Sequence, residues 1–128
     1  MGLYNFKLRF VPFILAGTKT HTIRELRRYP DKPGNTVHLY TGLRTKHAKL
    51  LMRATCVGVQ TVVLDRFGLD GDRSAVIRID DVDLDQGEME ALAVRDGFAD
   101  LADMMNFWKF AGRTLPWRGQ IIHWRKPK

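Results

Sequence analysis

The chain has 128 residues, of which 45% are hydrophobic and 27% charged. This size and balance suit one globular domain and argue against a disordered chain. No run of about 18 apolar residues occurs, which argues against a membrane-spanning helix, and a single cysteine excludes an internal disulfide. We therefore expect one domain over residues 1–128, located in the cytoplasm and without a membrane partner.

Positive charge is concentrated at the two ends of the chain. Residues 1–60 hold eleven Lys and Arg against two acids, residues 61–103 hold four against twelve, and residues 104–128 hold six and no acid. If the two ends pack together, they form a positive face that attracts polyanions by counterion release. The alternative is a solvated surface that only keeps the protein soluble, and charge alone does not distinguish the two.

The first part of the chain predicts strands interrupted by one helical turn. Residues 4–10 alternate apolar and polar, as a half-buried strand does. Residues 12–16 are apolar and predict a short helical turn, which the glycine that follows can close. Residues 20–24 and 36–40 are typical of strands, and the charged, proline-containing residues 25–34 between them predict an exposed loop.

The middle of the chain predicts a long, bent strand and a hairpin. Residues 50–64 are rich in Val and Thr but too long for one flat strand, so Gly58 is expected to mark a bulge or bend. Residues 65–73 contain Gly and Asp-Gly and predict a hairpin loop. Residues 74–79 then form the return strand.

The last third predicts two helices and a closing strand. Residues 85–95 and 99–110 each carry apolar positions at helical spacing, with Gly97 between them. Residues 120–124 predict a final strand. Strands followed by two late helices and a closing strand indicate an α+β fold, a small mixed β-barrel with two adjacent helices.

Residues 17–24 contain several polar side chains that could take part in catalysis or binding. Strand alternation there places Thr20, Thr22 and Arg24 on one face, with His21 and Ile23 on the other. Three polar side chains on one strand face suit either bulk solvent or a wet cavity, and spacing alone slightly favours solvent.

Asp96 is the second unusual position. It continues the apolar stripe of the first predicted helix, where a buried carboxylate requires a partner. The alternative is a residue at the helix end that turns out to solvent before Gly97. Helical periodicity favours the two interpretations equally.

No pattern for a metal or cofactor occurs. The four histidines are scattered, so we expect no metal site and no cofactor. Cys56 lies in an apolar run and is interpreted as a buried small hydrophobe. Six aromatic residues are candidates to stack on a nucleobase, although most are expected to lie in the core: Tyr29, Tyr40, Phe98, Trp108, Trp117 and Trp124. Trp117 follows Pro116 in a predicted turn, and we expect it to be partly exposed.

The segment Ile14-Leu15-Ala16-Gly17-Thr18-Lys19-Thr20-His21-Thr22-Ile23-Arg24 resembles the G-x-K-T-x-T-I-R signature of the ASCH family. Three weaker features agree in order. Pro33-Gly34 precedes a strand, Asp96-Gly97-Phe98 leads into a helix, and Gly119-Gln120-Ile121-Ile122-His123-Trp124 closes the chain. The resemblance runs from about Phe10 to Trp124.

This resemblance implies a PUA-like barrel and a role in handling nucleic acids or nucleobases. Small bacterial members of the family include amidohydrolases that remove acyl groups from N4-acylated cytosine nucleosides, and other members bind or cleave RNA. The amidohydrolase pattern maps its lysine, threonine and carboxylate onto Lys19, Thr22 and Asp96. The family usually has Glu at the last of these positions, and commonly Asp where this chain has Asn35.

The residues fit amide hydrolysis independently of the resemblance. Thr22 offers a hydroxyl nucleophile, and Lys19 can act as a base only if its pKa falls well below the ordinary value of about 10.4. Desolvation or a nearby Arg24 would lower that pKa, whereas direct pairing with Asp96 would raise it. Asp96 would then orient Lys19 or bind the amine edge of the substrate.

Three functions follow as hypotheses. The first is hydrolysis of an N4-acylated cytosine nucleoside, with Thr20, Arg24, Tyr40, Phe98 and Trp117 as candidate substrate-binding residues. The second is a non-catalytic module that binds RNA in preference to DNA, and the third is an RNA-cleaving domain. The basic chain ends favour the second and third, because a free nucleoside needs no such field.

Overall fold

The computed structural model describes residues 2–66, 75–109 and 116–127. Within these residues the protein is mixed α+β, as the sequence predicts. The strands are β1 (Gly2–Phe6), β2 (His21–Glu25), β3 (Thr36–Thr41), β4 (Lys49–Asp65), β5 (Val76–Ile79), β6 (Val82–Asp83) and β7 (Trp117–Arg125). The α-helices are α1 (Val11–Ala16), α2 (Gln86–Arg95) and α3 (Leu101–Lys109), and a 3₁₀ turn spans Leu8–Phe10. No described helix has the length and apolarity needed to cross a membrane.

The seven described strands belong to one sheet. Its main path runs β1-β3-β4-β5-β6, β2 pairs with β7, and β7 also pairs with β4. The chain clusters into two compact units. The first unit comprises Met1–Thr22, Arg27–Val59 and Ile122–Lys128, and the second comprises Ile23–Leu26 and Gln60–Ile121. Because the chain passes several times between them, β2, β4 and β7 each contribute residues to both units.

The first unit is built around a three-stranded sheet. β1 pairs with β3 in parallel, and β3 pairs with β4 antiparallel, with a register shift between Leu39 and Tyr40. Alternate residues of these strands point into the core, which explains the strict alternation of the sequence. The buried apolar side chains that these strands contribute to the first unit are Tyr4, Phe6, Val37, Leu39, Met52, Ala54 and Cys56.

The second unit combines a hairpin with two helices. β4 pairs with β5 and β5 with β6, both antiparallel. α2 begins at a capping box in which the Asp85 side chain accepts from the Glu88 backbone N–H and Glu88 Oε1 accepts from the Asp85 N–H. Glu90 Oε2 accepts from the Leu101 N–H over 2.9 Å, which joins the two helices. Their buried residues are Met89, Leu92, Ala93, Leu101, Met104, Met105 and Trp108.

The structure corrects several predicted boundaries. The first strand ends at Phe6, and the alternating residues 8–10 instead form the 3₁₀ turn. β4 is one continuous strand. Gly58 lies between its segment paired with β3 and its segment paired with β5. β7 begins at Trp117, before the predicted start at residue 120. Most of the predicted hairpin loop 65–73, with Ser74 and Phe110, lies outside the described residues.

Candidate functional site

Helix α1 ends in a glycine cap at Gly17, which begins the segment Gly17–Arg24. Gly17 adopts φ 81°, a left-handed conformation that other residues adopt only with strain, and its N–H donates to the Ile14 carbonyl over 3.1 Å. The next two N–H groups, of Thr18 and Lys19, both donate to the Phe13 carbonyl over 3.0 Å. The helix end therefore fixes the backbone of Lys19 before β2 begins.

The side chain of Lys19 is buried, which is unusual for a lysine. The residue is 3% exposed, and its Nζ lies 5.7 Å from the ring centroid of Phe6 and 5.1 Å from that of Phe10. Aromatic faces stabilise a cation at this distance, whereas removal from water favours the neutral amine. The Lys19 amine therefore lies in the interior of the first unit, between two aromatic rings.

Strand β2 departs from the predicted alternation. His21, Thr22 and Ile23 are all buried, whereas Thr20 is exposed and Arg24 is half-buried. The expectation that Thr20, Thr22 and Arg24 share one environment is therefore wrong. Thr22 is 4% exposed, so its hydroxyl lies in the protein interior.

The start of β2 is joined to β7 within the first unit. The Trp124 N–H donates to the Thr20 carbonyl over 2.9 Å, and the Trp124 ring packs edge-on against Phe6 with centroids 5.9 Å apart. Residues near Trp124, in the basic C-terminal segment, therefore lie against the basic N-terminal segment.

Two histidines from these strands face each other. The rings of His21 and His123 have centroids 5.6 Å apart and are tilted by 43°. His21 is buried and His123 half-buried. Sequence reasoning missed this pair because the two residues come from opposite ends of the chain and only strand pairing joins them. Among the residues that the structure describes, no three His, Cys, Asp or Glu side chains are grouped to hold a metal ion.

Asp96 lies in the second unit at the C-terminal end of α2. It is 5% exposed, and its backbone N–H donates to the Leu92 carbonyl over 2.9 Å. Of the two interpretations that helical periodicity left open, the buried one is correct. Burial of a carboxylate costs free energy unless polar or charged groups compensate it.

The aromatic candidates are less accessible than expected. Trp117 is 7% exposed, so its predicted partial exposure is wrong: it begins β7, and its ring lies 4.6 Å from that of Trp108. Phe98 is 4% exposed, with its ring 5.4 Å from that of Phe107. Tyr40 is half-buried. Tyr29, another of the aromatic candidates, is 80% exposed.

The predicted site residues divide between the two units. Those of the first unit are Lys19, Thr20, Thr22 and Tyr40, and those of the second are Arg24, Asp96, Phe98 and Trp117. Four of them, Lys19, Thr22, Arg24 and Asp96, are predicted to line one cavity, and this stays a prediction. The formal charges of the two units have opposite signs. The first unit has thirteen Lys and Arg and one acid, a net charge of +12. The second unit has eight Lys and Arg and thirteen acids, a net charge of −5.

The single acid of the first unit is removed from its surface. Asp31 is 5% exposed, its Oδ2 accepts from the Tyr4 hydroxyl over 2.6 Å, and its Oδ1 accepts from the Asn35 amide over 3.3 Å. Asp31 lies in the stretch predicted to be an exposed loop, and its burial is a further correction. The local sequence does not indicate this burial, because Tyr4 comes from β1, 27 residues away, and only Asn35, just before β3, is a near neighbour in the chain.

Cys56 is expected to be unreactive in the folded protein. Burial raises the pKa of its thiol above the ordinary value of 9.0, and the nearby Asp31 adds to the increase. The reactive thiolate is thus scarcer than in an unfolded chain. Labelling with a thiol reagent at pH 7.5 should be at least about 100-fold slower in native than in denatured protein, and equal rates would contradict the buried assignment.

No family model, curated protein or solved structure matches this chain. The chemistry of its own residues therefore has to indicate the function.

Proposed function

We propose that the protein is a cytoplasmic, PUA-like domain of the ASCH type that hydrolyses the amide of N4-acylated cytosine nucleosides, using Lys19 and Thr22. The observation that carries this proposal is the burial of Lys19 against two phenylalanine rings within the signature segment. A lysine that only carried solubilising charge would extend into water.

The proposed chemistry uses a hydroxyl nucleophile and an amine base. Thr22 Oγ1 attacks the acyl carbonyl while the neutral Lys19 amine accepts the hydroxyl proton. The Lys19 ammonium then returns that proton to the departing N4 amine, which leaves an acyl ester on Thr22. Water hydrolyses the ester, releases the carboxylic acid and restores the hydroxyl. The interior position of both residues supports this assignment, because exclusion of water strengthens their electrostatic interactions with the reacting groups.

The direct test is incubation of the purified protein with N4-acetylcytidine, with cytidine and acetate quantified by chromatography. N6-acetyladenosine is the control substrate, because it carries the same acyl group on the exocyclic amine of adenine. Release of cytidine above the uncatalysed rate, with little release from the adenosine compound, supports the proposal. The absence of cytidine release contradicts it.

Substitutions at Asp96 test whether its carboxylate contributes to turnover. The resemblance assigns Asp96 to an acidic position where the family usually has Glu. Asp96→Glu restores one methylene of reach, so turnover of N4-acetylcytidine should be retained or increased, whereas Asp96→Asn should lower it by about 10-fold or more. Equal loss in both variants would show that Asp96 serves packing alone.

A second candidate function is binding of RNA without catalysis. The observation that favours it is the net charge of +12 on the first unit, which a free nucleoside does not require. Affinity for RNA that falls steeply with salt, in a protein that leaves N4-acetylcytidine intact, would identify this function. Cleavage of the RNA in the same experiment would identify the RNA-cleaving hypothesis instead.

A further inference from the structure

The outer face of β1, β3 and β4 is partly exposed to solvent. The inward residues of these strands form the core of the first unit, and the alternate residues therefore point outward. The residues of this outer face are Leu3, Asn5, Thr36, His38, Tyr40, Arg53 and Thr55, of which Leu3, Asn5, Thr36 and Arg53 are exposed and the others half-buried.

Two rings lie at the centre of this face. His38 and Tyr40 are outward residues of the central strand, two positions apart, so their backbones are separated by roughly 6.6 Å. The strand register pairs His38 with Leu3 on one side and Arg53 on the other, and pairs Tyr40 with Asn5. Both residues are half-buried, and the Nδ1 atom of His38 is buried, so each ring presents only part of its surface. The spacing of the two residues allows each ring to contact a separate base.

Positive charge surrounds these rings without exposed negative charge from the same unit. Arg53 lies beside His38, and the hairpin loop between β3 and β4 exposes Arg44 and Lys46. Asn5 Oδ1 accepts from the Leu43 N–H over 3.0 Å, which holds this loop against the end of β1. The only acid of the unit, Asp31, is buried. Phosphates can therefore approach this face without carboxylate repulsion from the first unit.

We propose that the outer face binds single-stranded nucleic acid, with bases stacked on His38 and Tyr40 and phosphates held by Arg53 and the β3–β4 hairpin loop. This inference rests on the second candidate function, binding of RNA, and names the surface that performs it. Duplex nucleic acid does not fit, because its bases are already stacked on one another. Rings on an open sheet flanked by basic groups are the combination that unpaired bases and phosphates require.

The test is fluorescence anisotropy with a labelled single-stranded RNA of mixed sequence, at two or more salt concentrations. Tyr40→Leu removes the ring at similar volume and should weaken affinity by about 5- to 100-fold, the usual range for one stacked base. Tyr40→Phe keeps the ring and should bind within about threefold of the unmutated protein. His38→Leu should behave like Tyr40→Leu, and a hairpin-free duplex RNA should bind at least about 10-fold more weakly than the single strand.

Controls separate this surface from charge in general. Arg9 is also exposed, but it belongs to the 3₁₀ turn with its guanidinium over Phe10, 5.3 Å from the ring centroid. Arg53→Ala should weaken RNA affinity and should reduce the slope of log affinity against log salt by about one. Arg9→Ala should change neither quantity appreciably. A single-stranded DNA of the same sequence distinguishes RNA from DNA as the partner, and binding of either supports the stacking surface.

Two results would overturn the proposal. One is that folded Tyr40→Leu and His38→Leu, verified by circular dichroism, bind the single strand as tightly as the unmutated protein does. The other is that duplex RNA binds equally well. If the unmutated protein binds no single strand, both the RNA-binding function and this surface are wrong, while hydrolysis of free N4-acetylcytidine remains a separate measurement that decides the enzymatic proposal.

Discussion

Replacement of Lys19 with methionine is expected to lower turnover of N4-acetylcytidine by about 10²–10⁴-fold, the usual contribution of a positioned general base. Methionine keeps an unbranched side chain against Phe6 and Phe10 but cannot accept a proton. Affinity for RNA should change by less than about twofold, because a residue that is 3% exposed cannot neutralise a phosphate at the surface. Initial rates and anisotropy on the same preparation provide the two measurements.

The matched control is Lys7→Met, which makes the same exchange at an exposed lysine just before the 3₁₀ turn. It should leave turnover unchanged. Thermal unfolding of both variants separates loss of chemistry from loss of fold. A Lys19→Met protein that is folded and hydrolyses N4-acetylcytidine at the rate of the unmutated chain would show that Lys19 is not the base.

Elements with strong local signals were predicted well from the sequence. The α2 helix lies within one residue of its predicted bounds, because the Asp85 and Glu88 capping box marks its start and Gly97 follows its end. The cap at Gly17 is confirmed for the same reason. Helical periodicity indicated a buried position for Asp96 as one of two equal interpretations, and only the structure shows that it is the correct one.

Features that depend on distant parts of the chain were not predictable. Residues 8–10 continue the alternation of β1 yet leave the sheet, because pairing with β3 ends at Thr41 and no partner extends the strand. Asp31 is buried by Tyr4 and Asn35, and Trp117 by Trp108, and none of these contacts leaves a local pattern. Burial of the candidate site residues thus emerges only with tertiary packing.

Segregation of charge between the units links the two proposed functions. The first unit holds Lys19 and Thr22 in its interior and the outer face of β1, β3 and β4 on its surface, and it carries a net charge of +12. A unit of this charge attracts RNA at distances beyond direct contact, with a salt-dependent rate. An N4-acylated cytosine within a polynucleotide would then be bound more tightly than the free nucleoside. Comparing KM for the nucleoside and for an acylated oligonucleotide measures this difference.

Substitution of Gly119 with alanine is expected to destabilise the fold by about 3 kcal/mol, the upper part of the range for overpacking. A Cβ atom there would collide with the Arg24 carbonyl oxygen of β2 and with the Trp117 ring, whose Cζ2 would lie 2.9 Å away. A backbone carbonyl held in a strand and a buried indole cannot easily move aside. The expected fall in Tm is on the order of 10 °C in a thermal unfolding experiment.

Gly58→Ala is the matched control, because Gly58 is also a strand glycine but has no atom within 4 Å of an added Cβ. Its free energy of unfolding should stay within about 1 kcal/mol of the unmutated value and can increase, since alanine restricts the unfolded chain. Gly119→Ala should also lower turnover in the molecules that remain folded, because the collision displaces Arg24 and Trp117, both candidate substrate-binding residues. Equal unfolding midpoints for the two variants would show that β7 accommodates a methyl group at position 119 and that this close approach is not required.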